Sequence, residues 1–228
     1  MTLIVDIPAQ RSATETRTEP TCTDLRIAQQ ETLATARRPY SLPARGLFLS
    51  MDLLYGRRST VAKFRVLEIV ARLPYQAWET ASYKKMNKVH DNPSKLAALL
   101  DRARGFRAQQ DNEQWHLMIL DELVAQSGVK QSRLKYHWLP RVICFGYWHV
   151  SWLLYVLKPR WSHRLNADFE DHAEHTYAEY VEDHPELETT PWQTVHCTDY
   201  GTFASQADLF RRICLDERSH KEESEQHL

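Results

Sequence analysis

Only six glycines are spread over the 228 residues, and alternating runs of β-branched residues are few. Strand-and-turn architectures are thereby disfavoured, and an all-α fold is the expected class. No excess of charge exists in either sign: 29 Lys and Arg face 30 Asp and Glu, so a nucleic-acid partner has no electrostatic basis. Long hydrophobic runs are missing too. The stretch from Val142 to Leu157 is free of formal charge over 16 residues, short of the roughly 20 that a helix needs to cross a bilayer. The four cysteines, Cys22, Cys144, Cys197 and Cys214, never form a C-x-x-C pair, which removes the common zinc and dithiol signatures. They read as isolated reduced thiols. No basic start leads into an apolar segment at the N-terminus, and Asp6, Glu15 and Glu19 do not suit an acid-poor transit peptide.

Aromatic side chains are plentiful instead. Seven Trp, ten Tyr and seven Phe, together with 11 His, are crowded into a polar chain, and aromatics in that number serve a core or a boundary between water and an apolar phase. Residues 1–45, rich in Thr, Arg, Ala and Pro, show little apolar periodicity and read as a mobile or loosely helical lead-in. Residues 46–228 read as helices with short breaks. An apolar piece over 47–55 stops at Gly56, and a helix capped near Ser59-Thr60 follows, with a kink expected at Pro74. Asn92-Pro93 opens a long helix that Gly128 can close; an aromatic segment spans 138–158; further helices run from about Ser162 to Asp183 and from Ser205 onward. The pieces near 47–55 and 138–158 combine Trp and Tyr with flanking Arg141, Lys158 and Arg160, a pattern that suits a helix lying flat in one leaflet.

Glu-x-x-His occurs twice, as Glu113 to His116 and Glu217 to His220. Three residues apart on a helix, a carboxylate and an imidazole project from one face and can bind one ion or two adjacent ions. Chance alone supplies about one such pair in a chain of this composition, so the context decides. Glu113 shares its face with Phe106, Leu117 and Leu120, and Glu217 with Phe210, Ile213 and Cys214. Glu68 lies amid Val61, Phe64, Ala71 and Tyr75, and Glu170 on a stripe with Ala167, Ala173 and Tyr177. A carboxylate on an interior face must be paired, protonated or coordinated. Glu79 competes with Glu68 for the first position but sits near a helix end on a less apolar stripe. The order Glu68, Glu113-x-x-His116, Glu170, Glu217-x-x-His220, with separations of 45, 57 and 47 residues, suits one ligand set per long helix. A Glu from each of two helices and Glu-x-x-His from each of the other two is the ligand set of di-iron or di-manganese carboxylate bundles. Oxygen and imidazole donors without thiolate fit those metals better than zinc or copper(I).

The strings around these residues resemble the four ligand motifs of the alternative oxidases: Leu67-Glu68-Ile69-Val70-Ala71-Arg72-Leu73-Pro74-Tyr75, Asn112-Glu113-Gln114-Trp115-His116-Leu117, Ser162-His163-Arg164 leading to Glu170, Ala173 and Thr176-Tyr177, and Asp216-Glu217-Arg218-Ser219-His220. The first string, with Leu157-Lys158-Pro159-Arg160 and Glu170-Asp171-His172-Ala173, is similar to the plastid terminal oxidase branch. The resemblance covers about Leu53 to His220. It implies a ferritin-like four-helix di-iron carboxylate bundle with additional membrane-docking helices, working as a quinol oxidase that reduces O2 to water without pumping protons. Carried over by position, Glu68, Glu113, His116, Glu170, Glu217 and His220 become ligands of two iron ions. Tyr177 becomes a participant in electron transfer. Asn112, His163 and Asp216 become residues that orient the ligands, and Lys63, Leu67, Ala173 and Thr176 fall on the quinol side.

Three positions depart from the mitochondrial-type pattern. Lys63 stands where those members have an Arg, so a planar fork becomes a point charge; His172 replaces a glutamate; and Gly201 follows Tyr200 where a Trp is frequent. The implied partners are a membrane quinol, ubiquinol or plastoquinol, together with O2 and a bilayer surface on which the protein is monotopic. The cytoplasmic face of a bacterial inner membrane is the expected setting. Two other readings stay open at this level, a di-iron hydroxylase of the quinone-biosynthesis type and a metal-free helical interaction protein. The sequence also leaves dimerisation open, a homodimer being one state it allows.

Overall fold

The computed structural model describes residues 20–228 and contains seven α-helices there: α1 (Cys22–Ala34), α2 (Leu42–Tyr55), α3 (Val61–Met86), α4 (Pro93–Gln126), α5 (Leu139–Leu157), α6 (Pro159–Asp183) and α7 (Gln206–Glu225). Short side chains set most of the starts. Thr60, Asn92 and Ser205 each accept a hydrogen bond from the backbone N–H three residues on, at the heads of α3, α4 and α7. Pro93 and Pro159 stand at the heads of α4 and α6, where a missing N–H costs nothing. The start of α6 at Pro159 is earlier than the Ser162 expected from sequence, because Pro159 ends α5 and opens the next helix at once. Pro74 lies inside α3 without ending it. Gly56 and Gly128 adopt φ of 91° and 65° just beyond α2 and α4, conformations that favour glycine.

Helices α3, α4, α6 and α7 form a four-helix bundle. Arg65 reaches Asp121, Arg72 reaches Gln114 and Arg107 reaches Glu79, so α3 and α4 run antiparallel. Asn166 meets Ser224 and Glu174 meets Arg218, so α6 and α7 do the same. Helix α5 carries the chain back between the two hairpins and packs on α3, which gives the crossover connection of ferritin-like bundles. Apolar layers close both ends of the interior. Phe64 stacks on Tyr177 at 4.2 Å, near Phe210, at one end; Trp78, Phe106 and Tyr155 fill the other. The middle is polar.

Within the stretch over residues 1–45 that reads as a mobile or loosely helical lead-in, α1 is a packed helix. Thr21 and Asp24 form a capping box, and the helix lies in the groove between α6 and α7 with Leu25 and Ala28 buried. Its apolar periodicity is faint because the rest of its buried face is polar. Gln29 donates to the Ala178 carbonyl, and Thr32 donates to Glu174, which also takes Arg218 Nε at 3.0 Å and Lys221 Nζ at 2.5 Å. Residues 1–19 of that expected lead-in lie outside the described residues.

Helices α2 and α5 flank α3 and turn apolar side chains outward. Leu49 and Leu53 on α2, and Val142, Phe145, Leu153 and Val156 on α5, are each at least half exposed. Among the described residues no helix is long and apolar enough to cross a membrane.

Candidate metal centre

Glu68 on α3, Glu113 and His116 on α4, Glu170 on α6, and Glu217 and His220 on α7 meet in the polar middle of the bundle, none more than 5 % exposed. Two groups of donor atoms form there, each within 4.8 Å: Glu68, Glu113, His116 and Glu217, and Glu113, Glu170, Glu217 and His220. Glu113 and Glu217 belong to both groups. Each group could hold one ion, with Glu68 and His116 belonging to the first alone and Glu170 and His220 to the second alone.

The geometry repeats across the bundle. Tyr177 donates to Glu68 Oε1, and Tyr75 donates to Glu170 Oε1 at 2.7 Å. Each tyrosine lies seven residues after the glutamate of its own helix and clamps the glutamate of the other. The histidines cross in the same way: His116 Nδ1 is 3.1 Å from Glu217 Oε1, and His220 Nδ1 is 2.7 Å from Glu113 Oε1. These approaches lack hydrogen-bond alignment. Both oxygens of Glu113 and of Glu217, Oε2 of Glu68 and of Glu170, and Nδ1 of both histidines are buried with no hydrogen-bond partner. Buried polar atoms are nearly always satisfied, so a set this large aimed into one volume fits metal ions. Four carboxylates balance two divalent cations, and the O/N donor set suits iron or manganese.

Electrostatics carry the same message. Burial, then the neighbouring carboxylates, hold Glu113 and Glu217 well above the ordinary carboxylate range, and burial also raises Glu170. Burial likewise pushes Glu68 up, but His116, Glu113 and Tyr177 outweigh it and leave Glu68 below its usual value. Burial opposes the charged form of His116, yet the facing carboxylates of Asp216, Glu68 and Glu113 raise it to about 10.

Comparison with known proteins bears on what these residues belong to. A family model described as alternative oxidase matches residues 22–226. The chain belongs to the alternative oxidase family. It is 26 % identical over 186 residues to ubiquinol oxidase 2, mitochondrial, of Glycine max, covering 77 % of this chain and 50 % of that protein. Identity to ubiquinol oxidase 4, chloroplastic/chromoplastic, of Arabidopsis thaliana is 29 % over 144 residues, 58 % of this chain and 34 % of that one. The alternative oxidase, mitochondrial, of Wickerhamomyces anomalus is 25 % identical over 150 residues, 57 % and 42 % of the two chains. The chain therefore spans half the length, or less, of these curated relatives.

The other residues singled out from the alternative oxidase motifs fall in several places. Asp216 Oδ2 lies 3.4 Å from His116 Nε2, accepts from Tyr200 at 2.7 Å and meets Asn112 Nδ2 at 3.3 Å. A carboxylate behind the outer nitrogen of a ligating histidine turns the inner nitrogen toward the metal, so Asp216→Ala is expected to weaken metal retention about 10- to 100-fold, read by metal content after dialysis. His163 is not brought to the ligands. It sits two turns before Glu170, level with the aromatic end layer, and packs on Trp78 at 4.3 Å and His227 at 4.6 Å, making no hydrogen bond to any of the six. Leu67 and Ala173 share a cluster beneath Phe48 of α2 and Ile143 of α5. Lys63 Nζ donates to Asp52 at 2.6 Å and to the Gly56 carbonyl, and Thr176 bonds back to the His172 carbonyl. Glu79 pairs with Arg107 away from the cluster. At Gly201 the φ of +143° strains any residue with a side chain, and the Phe203 ring, 3.1 Å from where a Cβ would stand, would have to shift to admit a Trp.

Burial, helped by the charges of His227 and Arg102, pushes His163 down to about 3. The folded protein holds this imidazole neutral while the unfolded chain protonates it below about 6.5. Stability therefore falls as the pH drops from about 6.5 toward 3, by about 2–3 kcal/mol between pH 6.5 and 4.5. Thermal melts of His163→Phe are expected to lose correspondingly less over that interval than those of the parent chain.

Tyr75, Asn166 and Tyr200 were not expected as site residues. Tyr75 lies on the α3 stripe that carries Glu68, and Asn166, which donates to Glu170 at 3.0 Å, is one turn before it on α6, so helical spacing holds a signal for both. Tyr200 comes from a short 3-10 turn with no periodicity to betray it.

Proposed function

We propose that this chain is a quinol oxidase, taking electrons from a membrane quinol, ubiquinol or plastoquinol, and reducing O2 to water at two iron ions. The observation that carries the reading is the pair of four-donor groups joined through Glu113 and Glu217. Names of the relatives, ubiquinol oxidase and alternative oxidase, support the substrate class. Two iron ions bound there supply the electron storage that lets two quinols reduce one O2 to two waters. The protein holds Glu170 and Glu68 by one oxygen each, through Tyr75 and Tyr177, and leaves their other oxygens, with both oxygens of Glu113 and Glu217, free to coordinate. Tyr177, buried against Phe64 and bonded to Glu68, is positioned to pass an electron between the quinol side and the cluster. Leu67 and Ala173 provide an apolar wall for a quinol ring, with Lys63 and Thr176 nearby on the same helices.

The exposed apolar faces of α2 and α5 support monotopic docking on one leaflet, because an apolar area on two neighbouring helices marks an interaction surface. Leu67 and Ala173 lie buried beneath Phe48 and Ile143 of those helices, so a lipid-dissolved quinol would reach them by parting these side chains. In a bacterial cell the corresponding face is the cytoplasmic side of the inner membrane.

The test is quinol-dependent oxygen uptake by membranes carrying the protein, with cyanide present to silence haem–copper oxidases. Uptake with quinone as the product is expected. Uptake that yields a hydroxylated quinone would move the chain to the hydroxylases, and no uptake by protein loaded with two irons would overturn the enzymatic reading.

A further inference from the structure

Between the C-terminal end of α3 and the second half of α5 lies a cavity of about 340 Å³, lined by Ala81, Lys84, Lys85, Lys88, Trp152, Tyr155 and Val156. Its floor is apolar and its rim carries three ammonium groups. None of the three lysines has an ion pair among the described residues, where Lys63 and Lys221 do pair. All three are exposed, and Lys84 Nζ sits 4.8 Å over the Trp152 ring. The indole N–H of Trp152 is buried without an acceptor. Val156 lines the cavity and also belongs to the outward apolar stripe of α5 that includes Leu153. The cavity therefore opens where an apolar surface ends and positive charge begins.

We propose that this cavity binds the phosphate diester headgroup of an anionic phospholipid, with one acyl chain lying along α5 past Val156. The inference rests on the monotopic reading above and specifies which lipid that face prefers. Charge complementarity selects the occupant. Three unpaired ammonium groups around a buried indole donor match a phosphate with an apolar tail, whereas a zwitterionic headgroup would place its own cation among the lysines. Lysine holds a phosphate as a point charge and tolerates a mobile headgroup. Each lysine near an anionic surface contributes about 1 kcal/mol, so three shift partitioning by roughly a hundredfold at moderate ionic strength, an effect that salt screens.

The experiment is flotation of the iron-loaded protein with vesicles of phosphatidylcholine alone and of phosphatidylcholine mixed with phosphatidylglycerol. Binding to both is expected, tighter to the anionic vesicles. The variant K84Q/K85Q/K88Q should keep its binding to phosphatidylcholine and lose most of the anionic increment, roughly ten- to a hundredfold. W152F, unchanged in charge, should lose a few-fold of that increment, since it deletes the unpartnered donor of a residue that lines the cavity. Equal binding of the parent protein to both vesicles would overturn the headgroup site and leave monotopic docking standing. No binding to either would overturn docking itself and the site with it. Loss of the increment in the lysine variant with none in W152F would reduce the feature to diffuse charge and overturn the cavity as a site.

Discussion

Glu170→Ala and His220→Ala are each expected to abolish cyanide-insensitive, quinol-dependent oxygen uptake while helix content stays near that of the parent protein. Glu170 has one oxygen held by Tyr75 and Asn166 and the other buried without a partner, so the side chain is fixed with its free oxygen facing the cluster. Removing it takes a donor from one of the two groups and leaves Glu113 and Glu217, which belong to both, to compensate for a missing charge. His220→Ala takes the only imidazole from the same position. The fold should persist, because the apolar layers around Phe64 and around Trp78 lie above and below the ligands and are untouched. Iron content and circular dichroism measured beside oxygen uptake separate the outcomes. Full turnover in either variant would refute the ligand assignment, and loss of helix would mean that the side chain is needed for folding instead.

Stripping the metal should destabilise the protein by about 3–5 kcal/mol at neutral pH, the range found when a buried charge loses its partner. For a chain of this size that corresponds to a melting temperature lower by about 10 °C. The sign of the pH dependence follows from the raised carboxylates. Glu113, Glu217 and Glu170 bind protons more tightly in the folded chain than in the unfolded one. Such groups stabilise the stripped protein below the unfolded value near 4.5, and that contribution is lost as the pH rises. His116, held at about 10, adds stability that is complete below about 6.5 and declines toward pH 10. In the loaded protein the metal charge replaces these protons. The gap between loaded and stripped melting temperatures should therefore widen from pH 5 to pH 8; a gap that narrows over that range would contradict the assignment of these carboxylates to the metal.

Sequence spacing was informative wherever a helix face alternates between burial and exposure. The four bundle helices, their caps at Thr60, Asn92 and Ser205, and the meeting of Glu68, Glu113, His116, Glu170, Glu217 and His220 all follow from 3.6-residue periodicity read together with the placement of acids on apolar stripes. Two kinds of feature escaped it. Helix α1 buries polar side chains, so its inner face looks like a solvated one until Glu174, Arg218 and Arg211 are seen opposite. Contacts made between helices, such as Tyr75 on Glu170 and Tyr200 on Asp216, depend on packing distances that no single-helix pattern encodes. His163 shows the opposite case, a motif position whose ring the packing turns toward the aromatic end layer.

The ionic knot that fastens α1 has a reach beyond that helix. Glu174 stands one turn after Glu170, while Arg218 and Lys221 directly follow Glu217 and His220 along α7. The α6–α7 hairpin is thus gripped from its outer side at the same levels where it presents ligands on its inner side. Sliding α7 along α6 would disturb the outer contacts and the inner side chains together, so the outer charges help to hold the spacing within. Thr32 and Lys221 touch no ligand in this way, yet a substitution at either would reach the centre through the register of the helices.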